Sequence, residues 1–179
     1  MGGVSTFRFW MYRIGYVGVG SACILLSIIP FDLSANTLPY PDIFYCFTMI
    51  YVVRRPEYVP VWAVFFVFFL RDILTQAPLG LFTFLVIMAS EVVRANIQAF
   101  REYNFWLEWL WVTAIFIVIM VVQQTILALT LSDMPQLMEN ILPILLTVLA
   151  YPAIVGLVQY GFGLQRPQPG ELDAWGKRL

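Results

Sequence analysis

Arg71 and Asp72 are the pair in this chain best placed to do chemistry, because they stand as adjacent opposite charges at the end of an apolar run, Val64-Phe65-Phe66-Val67-Phe68-Phe69-Leu70. An ionisable residue among so many apolar ones is a functional candidate by default, since hydrocarbon makes it expensive. Neighbouring residues on a helix point about 100° apart, so the two cannot neutralise each other side by side. Arg71 has a long stem and can carry its charge outward to water. Asp72 has no such reach and needs a partner inside a bundle or a place at a helix end. Two readings follow. In the structural one, Asp72 accepts backbone donors near Thr75 to Leu79 and locks the turn Thr75-Gln76-Ala77-Pro78-Leu79-Gly80, whose Pro78 suits the first position of a helix. In the functional one, Arg71, Asp72, Gln76, Pro78 and Gly80 form a partner-binding turn.

Gln123 and Gln124 lie in a long apolar stretch, where an amide must find a hydrogen bond on a neighbouring helix, so they are expected as interhelical contacts. Arg54 and Arg55, followed by Pro56-Glu57, read as a tight basic turn. Glu91 and Arg94, three residues apart, can pair on one helix face.

Parts for catalysis are few. The chain has no histidine, which removes the commonest general base and the commonest metal ligand. It has no Gly-rich phosphate loop, no Ser-Lys or Ser-His arrangement, and no second deep acid to pair with Asp72. Cys23 and Cys46 both fall inside apolar stretches and read as small core residues. The expectation is a protein that is not an enzyme and binds no cofactor or metal. A net charge of −1 also offers no basic surface for nucleic acid.

The elements that must position these residues are set by composition. Of 179 residues, 61% are hydrophobic and only 12% are charged. Soluble domains carry about a quarter charged residues, so lipid is the expected solvent. Six apolar stretches predict six spans: roughly 14–29, 40–53, 58–72, 79–93, 106–131 and 141–162. The first is read as retained, since no small-x-small cleavage pattern follows it. Residues 58–72 rise only about 21 Å, against a hydrocarbon core of about 30 Å, so Arg71-Asp72 should lie below the outer surface. Gly15, Gly18 and Gly20 would let another helix approach the first span closely. Trp106, Trp109 and Trp111 form an aromatic belt. Pro152 predicts a kink in the last span. The segment 95–108 is expected as an interfacial helix or loop, and 165–179 as a flexible tail.

Nine of the ten basic residues, Arg8, Arg13, Arg54, Arg55, Arg94, Arg101, Arg166, Lys177 and Arg178, then share one side, with Arg71 alone on the other. The positive-inside rule makes that side the cytoplasm, and six spans put both termini there. The expected architecture is all-α: a polytopic six-helix transmembrane domain over 1–164 and a cytoplasmic tail.

The order Pro41-Asp42-Ile43, Arg54-Arg55-Pro56-Glu57-Tyr58-Val59-Pro60, Phe69-Leu70-Arg71-Asp72-Ile73-Leu74 and Pro78-Leu79-Gly80-Leu81 resembles the bacterial rod shape-determining protein MreD family. The Glu91-Val92-Val93-Arg94 exit is similar to that of alphaproteobacterial members. The resemblance covers about residues 41–94. It departs from many members along span three, where they carry glycines and this chain has bulky Val64 to Phe69. What it implies is a non-catalytic inner-membrane scaffold of the cell-elongation complex, supporting cell shape and side-wall peptidoglycan synthesis. The partners implied are an MreC-like single-span protein, the MreB cytoskeleton and the RodA/transpeptidase pair, with the basic turns near cytoskeletal or lipid surfaces. The family's fold is similar to the substrate-binding S-components of vitamin transporters. That similarity supplies an alternative, a small-molecule (vitamin) binding subunit of a membrane transporter.

Overall fold

In the computed structural model, residues 3–28, 41–75, 78–130 and 137–162 are described; for 3–9, 26–28, 101–102, 137–140 and 161–162 this extends to the backbone only. They form α1 (Gly3–Ile28), α2 (Ile43–Arg54), a 3-10 turn (Pro56–Tyr58), α3 (Val61–Leu74), α4 (Leu81–Ala95), α5 (Ile97–Glu102), α6 (Phe105–Leu129) and α7 (Leu137–Phe162), with no strand among the described residues. Each of the six apolar stretches is thus a helix, and α5 falls within the segment 95–108. Two of them, Phe105–Leu129 and the Ile141–Tyr160 part of α7, are long and apolar enough to cross a membrane. The tail 165–179 and the loops 31–39 and 132–136 lie outside the described residues.

Local sequence explains most helix ends. Asp42 accepts the Tyr45 N–H through Oδ1 at 3.0 Å and so caps α2. Pro56 lacks an N–H and stops α2 after Arg55. Pro60, in an extended conformation, opens α3. Gly80 precedes α4 with φ at +81°, a left-handed conformation that a side chain would strain.

The centre is α2. Every residue from Phe44 to Arg54 is buried, so this helix is apolar all round, as a core helix must be. It packs against α1, α4, α5 and α7, while α3 pairs with α4 and α1, and α6 with α4 and α7. Tyr16 of α1 reaches in to Thr48 of α2 with a hydroxyl–hydroxyl bond of 2.9 Å. Of Gly15, Gly18 and Gly20 on α1, only Gly20 is used for close approach. A Cβ there would sit 2.5 Å from the Phe44 ring and 2.9 Å from Val67, whereas nothing lies within 4 Å of one at Gly15 or Gly18.

Proline inside α7 has a local answer. Pro152 cannot donate to the Val148 carbonyl four residues earlier. The indole Nε1–H of Trp109 donates to that carbonyl at 3.0 Å. Trp109 therefore repairs the α7 backbone and ties α6 to it.

Helix lengths divide the bundle into two classes. At about 1.5 Å per residue, α2, α3 and α4 rise roughly 18–22 Å, while α1, α6 and α7 rise roughly 38–39 Å. Contacts fix their registers. Gly20 lies against Phe44, Phe116 packs tilted against Tyr45 with centroids 4.6 Å apart, and Thr147 meets Asp42. From those levels α1 continues for about 12 Å, α7 about 15 Å and α6 about 20 Å past the common end of the short helices.

Candidate functional site at the ends of the short helices

Asp42, Arg71, Asp72 and Gly80 converge where α2, α3 and α4 end together. Arg71 and Asp72 point to different helices, as their 100° separation demands. Arg71 Nη2 donates to Asp42 Oδ2 at 2.8 Å, and its guanidinium carbon lies 3.9 Å from the centroid of the Phe82 ring. One cation thus joins the cap of α2 to the first turn of α4. Rather than running outward to water, the Arg71 side chain is three-quarters covered.

Asp72 turns toward α4 and is wholly buried. Its Oδ2 accepts the Gly80 N–H at 3.1 Å, the Thr83 N–H at 3.1 Å and the Thr83 hydroxyl at 2.7 Å. The reason lies in Gly80. A left-handed turn residue at the N-cap position has no side chain to satisfy the first free N–H groups of α4, and it makes no cap bond of its own. Asp72, eight residues earlier and on another helix, supplies that oxygen. A carboxylate there also meets the positive end of the helix dipole. The donors are Gly80 and Thr83, beyond the Thr75–Leu79 stretch expected from sequence. Oδ1 of Asp72 is buried and has no hydrogen-bond partner among the described residues. Pro78 is exposed in the turn, and Gln76 lies outside the described residues.

The network continues into α7. The Asp42 N–H donates to Thr147 Oγ1 at 2.8 Å, and the Cys46 thiol donates to the Thr147 carbonyl at 3.6 Å. Between α2, α6 and α7, Tyr45, Cys46, Thr113, Thr147 and Tyr151 help line a cavity of about 10 Å³, room for about one water molecule. Neither Cys23 nor Cys46 forms a disulfide.

At the opposite end, arginines staple the α2–α3 connection. Arg13 donates to the Glu57 carbonyl from Nη2 at 3.2 Å, and burial lowers its pKa from the ordinary guanidinium value. Arg94 Nη2 donates to the Val59 carbonyl while its Nη1 pairs with Glu91. The basic turn is therefore split. Arg55 is partly exposed and pairs with Glu57 at 3.8 Å, but Arg54 belongs to the last turn of α2 and is 1% exposed, so it presents no surface to a partner.

Two features escaped sequence reasoning. Glu108, placed with the interfacial segment, is fully buried in the first turn of α6 and accepts the Tyr151 hydroxyl at 2.9 Å. Its spacing with Val112, Phe116 and Ile119 along one helix face was the available signal. Gln123 and Gln124, expected to bond neighbouring helices, are partly exposed, and neither amide has a hydrogen-bond partner among the described residues. Among those residues no group of three His, Cys, Asp or Glu could hold a metal ion. Compared with protein-family models, with curated proteins and with solved structures, the chain matches none.

Proposed function

We propose that this chain is a six-span inner-membrane protein with both termini in the cytoplasm, acting as a non-catalytic scaffold of the bacterial rod complex. In this reading it binds an MreC-like single-span protein and, directly or through it, supports the MreB cytoskeleton and the RodA/transpeptidase pair. The observation that carries the reading is the junction of Asp42, Arg71, Asp72 and Gly80. The residues on which the resemblance to the MreD family rests are the same ones that tie three helix ends together.

Two further observations support immersion in lipid. Large apolar side chains such as Ile14, Phe66, Phe84, Val118, Leu149 and Leu157 face outward on five different helices. A water-soluble surface does not carry such extended apolar cover. Among the described residues, Arg13, Arg54, Arg55 and Arg94 also gather at the opposite end of the bundle from Arg71, in keeping with the positive-inside rule.

The test is affinity purification of the full chain from native membranes in mild detergent, with identification of bound proteins. Elongation-complex components are expected. Recovery of a transporter ATPase pair, or tight binding of a vitamin, would replace this reading with the transporter one.

A further inference from the structure

We infer that α6 is a dimerisation helix, whose outward seam, centred on Gln124, docks a second copy of this chain. The inference rests on the membrane reading only so far as α6 crosses the bilayer.

The first observation is the amide itself. Gln124 sits 16 residues past Glu108, about 24 Å along α6 and so in the outer part of a hydrocarbon core about 30 Å thick. An amide at that depth needs a hydrogen bond, and Gln124 has none among the described residues. The second is how little protein covers α6. Only 22% of its apolar window is buried. Its buried side carries Val112, Phe116 and Ile119, and Gln123 follows on that side, four residues after Ile119. Gln124 is turned about 100° away.

The third is the pattern on the exposed side. Leu110, Ala114, Ile117, Val121, Gln124 and Ala128 recur at alternating steps of four and three, the seam of a left-handed helix pair. Leu110, Ile117 and Val121 are exposed, and alanines at 114 and 128 leave room on either side for close approach.

These facts single out a second copy. A glutamine amide carries both donors and an acceptor, so two of them can satisfy each other. In a two-fold dimer with its axis along the membrane normal, α6 meets α6 in parallel and Gln124 faces its own counterpart at the same depth. Any other partner would have to bring a polar group to that level independently. A lone polar residue in an apolar seam also sets register, as in coiled coils.

The experiment uses the full chain in phosphatidylethanolamine/phosphatidylglycerol vesicles, half the copies carrying a donor and half an acceptor fluorophore at the C-terminus, over a range of protein-to-lipid ratios. Energy transfer should report saturable dimerisation. Gln124→Leu should weaken it about 3–30-fold, the range for one or two interhelical hydrogen bonds. Val121→Trp should weaken it by blocking the seam without touching the amide, and Gln123→Leu should leave it unchanged. Monomers at every ratio, or dimers indifferent to both Gln124→Leu and Val121→Trp, overturn the inference. Gln124→Cys, made with Cys23→Ala and Cys46→Ala, separates the two levels of failure. Free reaction with a water-soluble maleimide would reject the membrane placement of α6 itself, whereas a shielded thiol in a monomeric protein rejects only the docking surface.

Discussion

Replacing Asp72 with leucine tests the junction directly. The change removes the oxygen that accepts from Gly80 N–H, Thr83 N–H and the Thr83 hydroxyl, and puts a side chain of similar size in a fully buried site. The hydroxyl can rotate to another acceptor, but the two backbone N–H groups cannot. At about 1–3 kcal/mol for each of the two donors left unmatched, the expected loss is about 2–6 kcal/mol. Asp72→Asn keeps an acceptor oxygen and loses only the charge, so it should cost about 1–2 kcal/mol. Thr83→Val, which deletes the hydroxyl but neither backbone bond, belongs in the same lower range. The assay is equilibrium unfolding in mixed micelles with a rising fraction of dodecyl sulfate, read by tryptophan fluorescence. In cells, the amount of Asp72→Leu protein and the amount of its complex should fall together, with unchanged complex per folded molecule. A leucine variant within about 0.5 kcal/mol of the parent, the range of an inconsequential surface change, would refute the capping role. A variant that is stable but loses its partner would move Asp72 from fold to interface.

Two further substitutions probe other joints by the same unfolding assay. Gly20→Ala drives a methyl into the Phe44 ring and should destabilise by about 1–3 kcal/mol, while Gly18→Ala meets open space and should be neutral or stabilise by up to about 1 kcal/mol; equal effects would deny that α1 approaches α2 at Gly20. Trp109→Phe should cost about 1–2 kcal/mol by orphaning the Val148 carbonyl, and much of that cost should vanish when Pro152→Ala restores the helical donor, so additive effects in the double variant would reject the repair.

Helices were legible wherever an apolar run met a clear stop. Pro56, Pro60 and Gly80 end or open helices for reasons of backbone chemistry alone, and the segments they bound appear within a few residues of expectation. Pattern along one helix does not reveal which residue on another meets it. Asp72 was recognisable as an acid with an unmet need, yet its donors lay on α4 beyond the expected stretch, because Gly80 rather than the preceding turn left them free. Arg54 looked like its neighbour Arg55, and only the packing of α2 separates the buried guanidinium from the accessible one. Glu108 was hidden by its aromatic neighbours, since a run rich in tryptophan reads as interface whichever way each residue turns. Gln123 and Gln124 show the reverse case. Sequence marked two amides for interhelical bonds that the chain's own described residues do not supply.

Charge balance explains how the short helices can end where they do. On the proposed membrane reading, their common end, about 18 Å along α2 from Arg54, falls well short of a hydrocarbon thickness of about 30 Å. Three ionised side chains at that depth would be prohibitive as separate ions. They are not separate. Asp42 bonds the third N–H of α2, and Asp72 bonds the third N–H of α4, so each carboxylate sits on a helix N-terminus worth about half a positive charge. Arg71 contributes one full positive charge between them. Two negative charges, one positive and two half-positive ends cancel, and the guanidinium spends its remaining face on Phe82 rather than on water. The junction is therefore neutral as a unit and charged in every part. Arg71 serves Asp42 while Asp72 serves the start of α4, so the three side chains balance only as a set.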